Sequence, residues 1–419
     1  MKRRQFTHLM AFSTGSLPLL SVASHGTVDQ SNQDPQTRLE NDTIENNANP
    51  QEPLNDSLLS QQAVKVDDFI ELAKEQLPQG VFEYITTGSA EEVTLRANLS
   101  AFKQIKILPP LLHGVDRPDL STTILKQRIS LPVILAPVGA QRMFHPEGAL
   151  ATARAATKAK TIFAVSTSAG HSPEEVADAA NGPKWFQLYV PQDRAVTRSL
   201  VERVERAGYQ AIVVTVDQGE WKDSDRRNQF MLPKEMLIQH LQNVGHQGLS
   251  DRMSYEELMA FNARSWDQSL TWEIFDWLRS VTRLPLLVKG VLRKEDALKA
   301  VSIGLDGIVV SNHGGRRLDG MPASIDMLPE IVDAVGGRTE ILMDGGIRRG
   351  TDILKALALG AKAVLIGRPH ALGLAAAGEA GVDRVIHLLR QELENAMLAT
   401  GCATVGDIDR SLLEGGCVT

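Results

Sequence analysis

GIVVSNHGGRRLDG, residues Gly307–Gly320, is the stretch on which the reading of the fold turns. Its first half is apolar without alternation, the pattern of a strand buried on both faces of a parallel sheet. Its second half is a polar loop holding a histidine, two adjacent glycines and two arginines. A buried strand that runs into such a loop predicts a site at the strand's C-terminal end, where parallel barrels carry their chemistry.

The same pattern recurs on both sides of this stretch. Apolar runs over Leu131–Ala136, Thr161–Ser166, Lys184–Val190, Ala211–Asp217, Leu284–Gly290, Glu340–Gly345 and Ala363–Gly367 join Gly307–Asn312 to give eight predicted strands. Helical stretches such as Glu147–Ala159, Asp193–Ala207, Ser324–Val335 and Asp352–Leu359 alternate with them. Most strand-to-strand intervals are roughly 30 residues, the length of a βαβ unit. Eight such units predict an α/β fold of the (β/α)₈ barrel class, with a helix over Val66–Leu77 packed on the outside. The interval from Gln218 to Arg283 is much longer than the others. Long insertions in compact domains are commonly functional. This one is expected to be a lid over the site, with a mobile middle around Gly245 and Gly248.

Polar residues cluster where the predicted strands end: Pro137, Val138, Gly139 and Gln141; Ser166 and Thr167; Gln187 and Tyr189; Thr215 and Asp217; Lys289; Ser311, His313, Arg316 and Arg317; Asp344 to Arg348; Gly367 and Arg368. The last two loops read MDGGIRRG (Met343–Gly350) and IGRP (Ile366–Pro369). In this fold those loops often bind phosphate, and Gly345, Gly346, Arg348, Gly367 and Arg368 supply open backbone and positive charge. Arg316 is a natural fork for a carboxylate, and a neutral His313 beside it is a natural proton acceptor near neutral pH. Asp217 is the candidate to orient that imidazole.

Composition sets limits on the rest. A formal charge of −7 argues against a nucleic-acid partner, which needs basic surface. No apolar run is long enough to span a bilayer as a helix. Arg3 and Arg4 precede an apolar stretch from Leu9 to Val22, and residues 1–24 read as a twin-arginine export signal, which would place the mature protein in the periplasm. Residues 25–60 are rich in Asn, Gln, Asp, Glu and Ser and lack aromatics, so they read as a disordered tether, with folding beginning near Val64. Cys402 and Cys417 have no metal-ligand spacing; a disulfide or two free thiols are both open.

Taken together, SNHGGRRLDG, LPVILAPVGAQ (Leu131–Gln141), FQLYV (Phe186–Val190), TVD (Thr215–Asp217), LPLLVKGV (Leu284–Val291), DGGIRRGTDILKALALGA (Asp344–Ala361) and IGRP resemble the FMN-dependent 2-hydroxy-acid oxidases and dehydrogenases. The resemblance covers about Val64 to Arg410. It implies oxidation of a small (S)-2-hydroxy acid to the 2-oxo acid, with electrons passed to oxygen or a quinone-type acceptor, by a homotetramer. It implies that His313 is the base and Asp217 its partner. Arg316 and Tyr84 would hold the substrate carboxylate, and Tyr189 would lie near the substrate hydroxyl. Lys289 would sit beside the flavin's pyrimidine edge. Pro137, Val138, Gly139, Ser166, Gln187, Thr215 and Ser311 would contact the FMN ring, and Asp344, Gly345, Gly346, Arg348, Gly367 and Arg368 its phosphate end.

Some positions depart from the family pattern. QGEWKDSD (Gln218–Asp225) stands where an arginine-bearing segment is usual, with Lys222 about where the substrate-holding arginine would be. Ser168 and Ile85 replace bulkier aromatics, and Gly139 replaces an alanine. A flavin-binding barrel that has lost turnover is the alternative that these departures motivate.

Overall fold

The computed structural model describes residues 56–217 and 231–415. Eight parallel strands close into a barrel. They are β3 (Val133–Leu135), β4 (Phe163–Ser166), β5 (Lys184–Leu188), β6 (Ile212–Thr215), β7 (Leu286–Val291), β8 (Gly307–Val310), β9 (Glu340–Asp344) and β10 (Ala363–Ile366). Seven fall inside runs expected from the sequence, and β7 overruns its run, Leu284–Gly290, by one residue. β10 pairs with both β9 and β3, which closes the cylinder.

The unbroken apolar runs have the anticipated cause. Ile134, Ala164, Trp185, Val213, Leu287, Val309, Leu342 and Leu365 belong to one buried cluster. Their strand neighbours Leu135, Val165, Phe186, Val214, Val288, Ile308, Met343 and Ile366 belong to the cluster that also contains the outer helices. With both faces of each strand covered, polar residues are few and, Lys289 of β7 apart, sit at or next to the strand ends. A hairpin of β1 (Thr122–Ile124) and β2 (Gln127–Ile129) contributes Ile124 and Ile129 to the first cluster. The Trp185 indole donates to Gln127 Oε1 at 3.1 Å, which ties that hairpin to the barrel.

Helices alternate with the strands, among them α5 (Gly148–Lys158), α6 (Pro173–Ala179), α7 (Arg194–Arg206), α11 (Lys294–Ser302), α12 (Ser324–Val335) and α13 (Gly350–Ala358). The last helical segment, α14 (Arg368–Thr400), is broken at Ala377–Gly378, where φ is −155° and then 58°. Ahead of the barrel lie α1 (Asp56–Gln62), α2 (Phe69–Gln76), α3 (Gln79–Thr86) and α4 (Val93–Gln104). The helix expected over Val66–Leu77 is a short 3₁₀ turn at Val66–Asp68 followed by α2.

The boundary of the tether needs correction. Composition puts it at residue 60, but α1 begins at Asp56, and Leu59 is only 2% exposed. The few leucines of this stretch, Leu54, Leu58 and Leu59, are too sparse in a polar tract to give a periodic signal, so only packing reveals the burial of Leu59.

The insertion is also more regular than expected. It contains α8 (Lys234–Val244) and α9 (Tyr255–Arg264), while α10 (Glu273–Val281) is an outer helix that packs against α7. Gly245 is the left-handed cap that ends α8, with φ 116°. The proposed signal (1–24), most of the tether, Lys222 and Cys417 lie outside the described residues. Cys402 is a buried free thiol. No described helix is long and apolar enough to cross a membrane.

Candidate active site

A cavity of about 810 Å³ opens at the C-terminal ends of the strands, within the usual range for small-molecule and cofactor sites. The loops after β3, β4 and β8 to β10 line it, together with strand-end residues of β5, β6 and β7, Tyr84 from α3, and Met236, His240, Tyr255 and Trp266 from the insertion. The expected lid segment therefore forms an outer wall.

The catalytic candidates converge from different strands. The His313 Nδ1 lies 2.8 Å from Asp217 Oδ1, joining the loop after β8 to the end of β6. A carboxylate only accepts, so Nδ1 carries the proton and Nε2 presents a lone pair. His313 adopts a left-handed backbone with φ 57°, uncommon for a non-glycine residue. Its amide is held by Ser311 Oγ at 3.0 Å. Burial pushes the imidazole well below its usual pKa; Asp217 opposes this, and Lys289 and Arg317 add to it. Burial alone would raise Asp217, but His313 and Lys289 nearby outweigh it and the carboxyl stays ionised. At neutral pH the pair is therefore a neutral base beside a carboxylate.

Lys289 is buried beneath them, with Nζ 2.9 Å from Ser311 Oγ and 3.1 Å from Asp344 Oδ2. Burial lowers its pKa, but Asp344 and Asp217 more than compensate, and the ammonium remains charged. Its placement depends on a register shift between β7 and β8 at Lys289–Val291. Gly290 there has φ +114°, and a Cβ would come within 2.6 Å of the Asp217 Cβ. Only glycine lets the bulge press against the carboxylate.

The carboxylate-binding candidates also meet. Arg316 lies over the Tyr84 ring at 4.8 Å and donates through NH1 to the Tyr84 and Thr87 carbonyls at 2.6 and 3.0 Å. These bonds fix the plane of its fork at the cavity wall. Tyr189 has its hydroxyl 3.4 Å from His313 Nε2, and Trp266 of the insertion packs edge-on against its ring. Gly139 and Ser168 lie side by side near the Tyr84 hydroxyl: a Cβ on Gly139 would be 3.4 Å from Ser168 and 3.5 Å from that oxygen. The two small residues widen the cavity there.

A flavin can be tested against the polar atoms left in the wall. Among the described residues, Gln187 Nε2, Thr215 Oγ1 and Asp344 Oδ1 are buried side-chain atoms with no hydrogen-bond partner. Buried polar atoms are normally satisfied, and these three line the cavity from the ends of β5, β6 and β9. Donor and acceptor atoms on the amide-like edge of a flavin ring suit that set. At the phosphate end, Gly346 has φ +89°, and a Cβ would lie 2.1 Å from the Asn98 carbonyl oxygen. Arg348 is held by Asp67, with 3.4 Å between Nε and Oδ1. Arg368 donates to the carbonyls of Ile85, Thr87 and Gly314 at 2.7–3.0 Å, so part of its fork ties loops together.

Sequence reasoning missed the contacts that hold these parts in place. Asn98 on α4 and Asn312 exchange amide hydrogen bonds of 2.8 Å in both directions, and Asn98 Oδ1 also accepts from the Ser324 amide at 3.2 Å. Asp319 receives the Val93 and Thr94 amides at 3.1 and 2.8 Å. The histidine loop is thereby pinned to a helix more than 200 residues away. No local signal marks such a pair. Arg317, noted only as a strand-end charge, donates to the Tyr189 hydroxyl at 2.8 Å.

Comparison with known proteins agrees with this geometry. The L-lactate oxidase of Nostoc sp. is 46% identical over 357 residues, covering 84% of this chain and 98% of that protein. The human 2-hydroxyacid oxidase 1 is 45% identical, covering 83% and 95%. Among solved structures, a soluble mutant of the membrane-associated (S)-mandelate dehydrogenase from Pseudomonas putida superimposes with a TM-score of 0.77 at 36% identity, covering 84% of this chain and 99% of that one. A mandelate oxidase mutant with (S)-mandelic acid gives 0.74 at 41% identity, covering 84% and 98%. The model of the FMN-dependent dehydrogenase family matches residues 73–415, and the chain belongs to that family.

Proposed function

We propose that this protein uses FMN to oxidise a small (S)-2-hydroxy acid to the 2-oxo acid. The observation that carries this reading is the His313–Asp217 pair, whose Nε2 opens on the cavity from the same loop that carries Arg316. Arg316 and Tyr84 bind the substrate carboxylate, and Lys222 adds positive charge from the segment beyond Asp217. Tyr189 donates to the substrate's hydroxyl oxygen. His313 Nε2 accepts the proton that leaves the substrate, and Asp217 stabilises the imidazolium that results. Bound FMN, held by the wall from Pro137 to Gly139, by Ser166, Gln187, Thr215, Lys289 and Ser311, and by the loops at Asp344–Arg348 and Gly367–Arg368, supplies the acceptor for the electron pair. Lys289 places a fixed positive charge at that end of the cavity, which favours added negative charge there.

The electrons pass on to oxygen, giving hydrogen peroxide, or to a quinone-type acceptor. Oxygen uptake and dye reduction measured side by side separate the two. The substrate reading is tested by mixing the yellow protein anaerobically with a series of acids from glycolate to mandelate. At least one should bleach the flavin within a turnover, and bleaching by none of them overturns the proposal. Export through the twin-arginine route and assembly into a homotetramer complete the proposal. Arg3→Lys with Arg4→Lys should retain the protein in the cytoplasm, and light scattering should return four times the chain mass.

A further inference from the structure

Arg317 follows Arg316 in sequence, but the two side chains serve different tyrosines. Arg316 lies on Tyr84, whereas Arg317 lies over the Tyr189 ring at 5.7 Å and donates through NH2 to the Tyr189 hydroxyl at 2.8 Å. That hydroxyl is in turn 3.4 Å from His313 Nε2, and His313 Nδ1 is 2.8 Å from Asp217 Oδ1. Four side chains thus form one file: Arg317, Tyr189, His313, Asp217.

The ends of the file decide the direction of every proton in it. A guanidinium has only donors and a carboxylate only acceptors, while phenol and neutral imidazole are each donor and acceptor. With the Tyr189 oxygen receiving the Arg317 N–H, its own hydrogen points away from Arg317, toward Nε2. With the Nδ1–H given to Asp217, Nε2 is left as the acceptor. We propose that Arg317 is a positioning residue. It sets the polarity of the Tyr189 hydroxyl, so that this group donates to the substrate oxygen while His313 receives the substrate's proton. The long 3.4 Å contact between Tyr189 and His313 is where the substrate hydroxyl enters, accepting from one and donating to the other. This rests on the proposed oxidation of a hydroxy acid. Without Arg317 the phenol is free to turn and accept from the substrate hydroxyl, which takes that proton away from the base.

A second consequence is electrostatic. Among the described residues, Asp217 after β6, Lys289 of β7 and Arg317 from its own loop act on His313 electrostatically, and the Tyr189 hydroxyl after β5 lies 3.4 Å from Nε2. Arg317 is one of the two cations that disfavour the imidazolium, after burial itself. Removing it makes His313 easier to protonate.

The test uses the FMN-loaded protein carrying Arg317→Met, Arg317→Gln, Tyr189→Phe and the double change Tyr189→Phe/Arg317→Met. Arg317→Met is expected to lower the plateau kcat by about 10- to 100-fold with a smaller effect on KM. Arg317→Gln keeps a donor without the charge and should recover most of that loss. Both should move the acid limb of kcat/KM to higher pH, and the titration of His313 followed by NMR in histidine-labelled protein should move with it. In the Tyr189→Phe background, Arg317→Met should cost little further plateau rate. Losses that multiply in the double variant, or equal losses in the Met and Gln variants, overturn the proposal. An unmoved His313 titration overturns the electrostatic part. If the unaltered protein oxidises no hydroxy acid, the functional reading itself has failed, and the NMR titration still reports on Arg317.

Discussion

Replacing Asp217 with asparagine tests the base assignment directly. The carboxylate makes one short contact, Oδ1 to His313 Nδ1 at 2.8 Å, while Oδ2 is buried without a hydrogen-bond partner among the described residues. Lys289 and Arg317 act on the same carboxylate electrostatically. An asparagine has no good orientation in this setting. If its carbonyl faces Nδ1, the negative charge on which Lys289 and Arg317 act is gone. If it is flipped, the amide faces Nδ1, drives the proton to Nε2 and removes the acceptor that the reaction needs. In either case the imidazolium loses its counter-charge. A charge pair about 4 Å apart is worth about 4 kcal/mol at an effective dielectric of about 20. That corresponds to a loss of roughly 10³ in rate. The assay is the rate of anaerobic flavin bleaching by substrate in Asp217→Asn protein, with FMN content checked by absorbance. FMN content should be unchanged and KM should change little. Because Asp217 raises the imidazole's proton affinity, the acid limb of the pH profile should move to lower pH. A bleaching rate within about tenfold of the unaltered protein refutes the assignment.

Three further outcomes follow from the structure. Gly346→Ala places a Cβ 2.1 Å from the Asn98 carbonyl at φ +89°, so denaturant unfolding should show a loss above about 3 kcal/mol; a change below about 1 kcal/mol contradicts the clash. His240 and His370 are buried, and burial lowers both from 6.5 to about 4. Their folded-state pKa lies below the unfolded value, so their stabilising effect is complete above about 6.5 and is lost as pH falls toward about 4, by up to about 3 kcal/mol each. Urea midpoints that stay flat across that range would rule this out. Removing residues 1–55 should leave Tm unchanged, whereas removal through Gln62 takes away Leu59, 2% exposed, and about 2 kcal/mol of burial; equal Tm values for the two truncations would show that α1 contributes nothing.

What a chain states locally is legible from the chain. All eight barrel strands, helices α5, α7, α12 and α13, and the polar strand ends could be placed from sequence. Burial on both faces leaves an unbroken apolar run, and closure of the barrel leaves polar residues mainly where a strand stops. The same patterning marked His313, Asp217, Lys289 and Tyr189 as residues of one mouth. Contacts between distant segments were decided only by the tertiary structure. Barrel closure brings Asn98 to Asn312 and Tyr189 to Arg317 across 214 and 128 positions, respectively, and nothing near either residue encodes that meeting. The docking of Leu59 was hidden for the same reason, because its burial comes from what α1 packs against rather than from a local pattern. The direction of each proton in the Arg317–Tyr189–His313–Asp217 file is the clearest case: residue types permit several arrangements, and only their placement in space selects one.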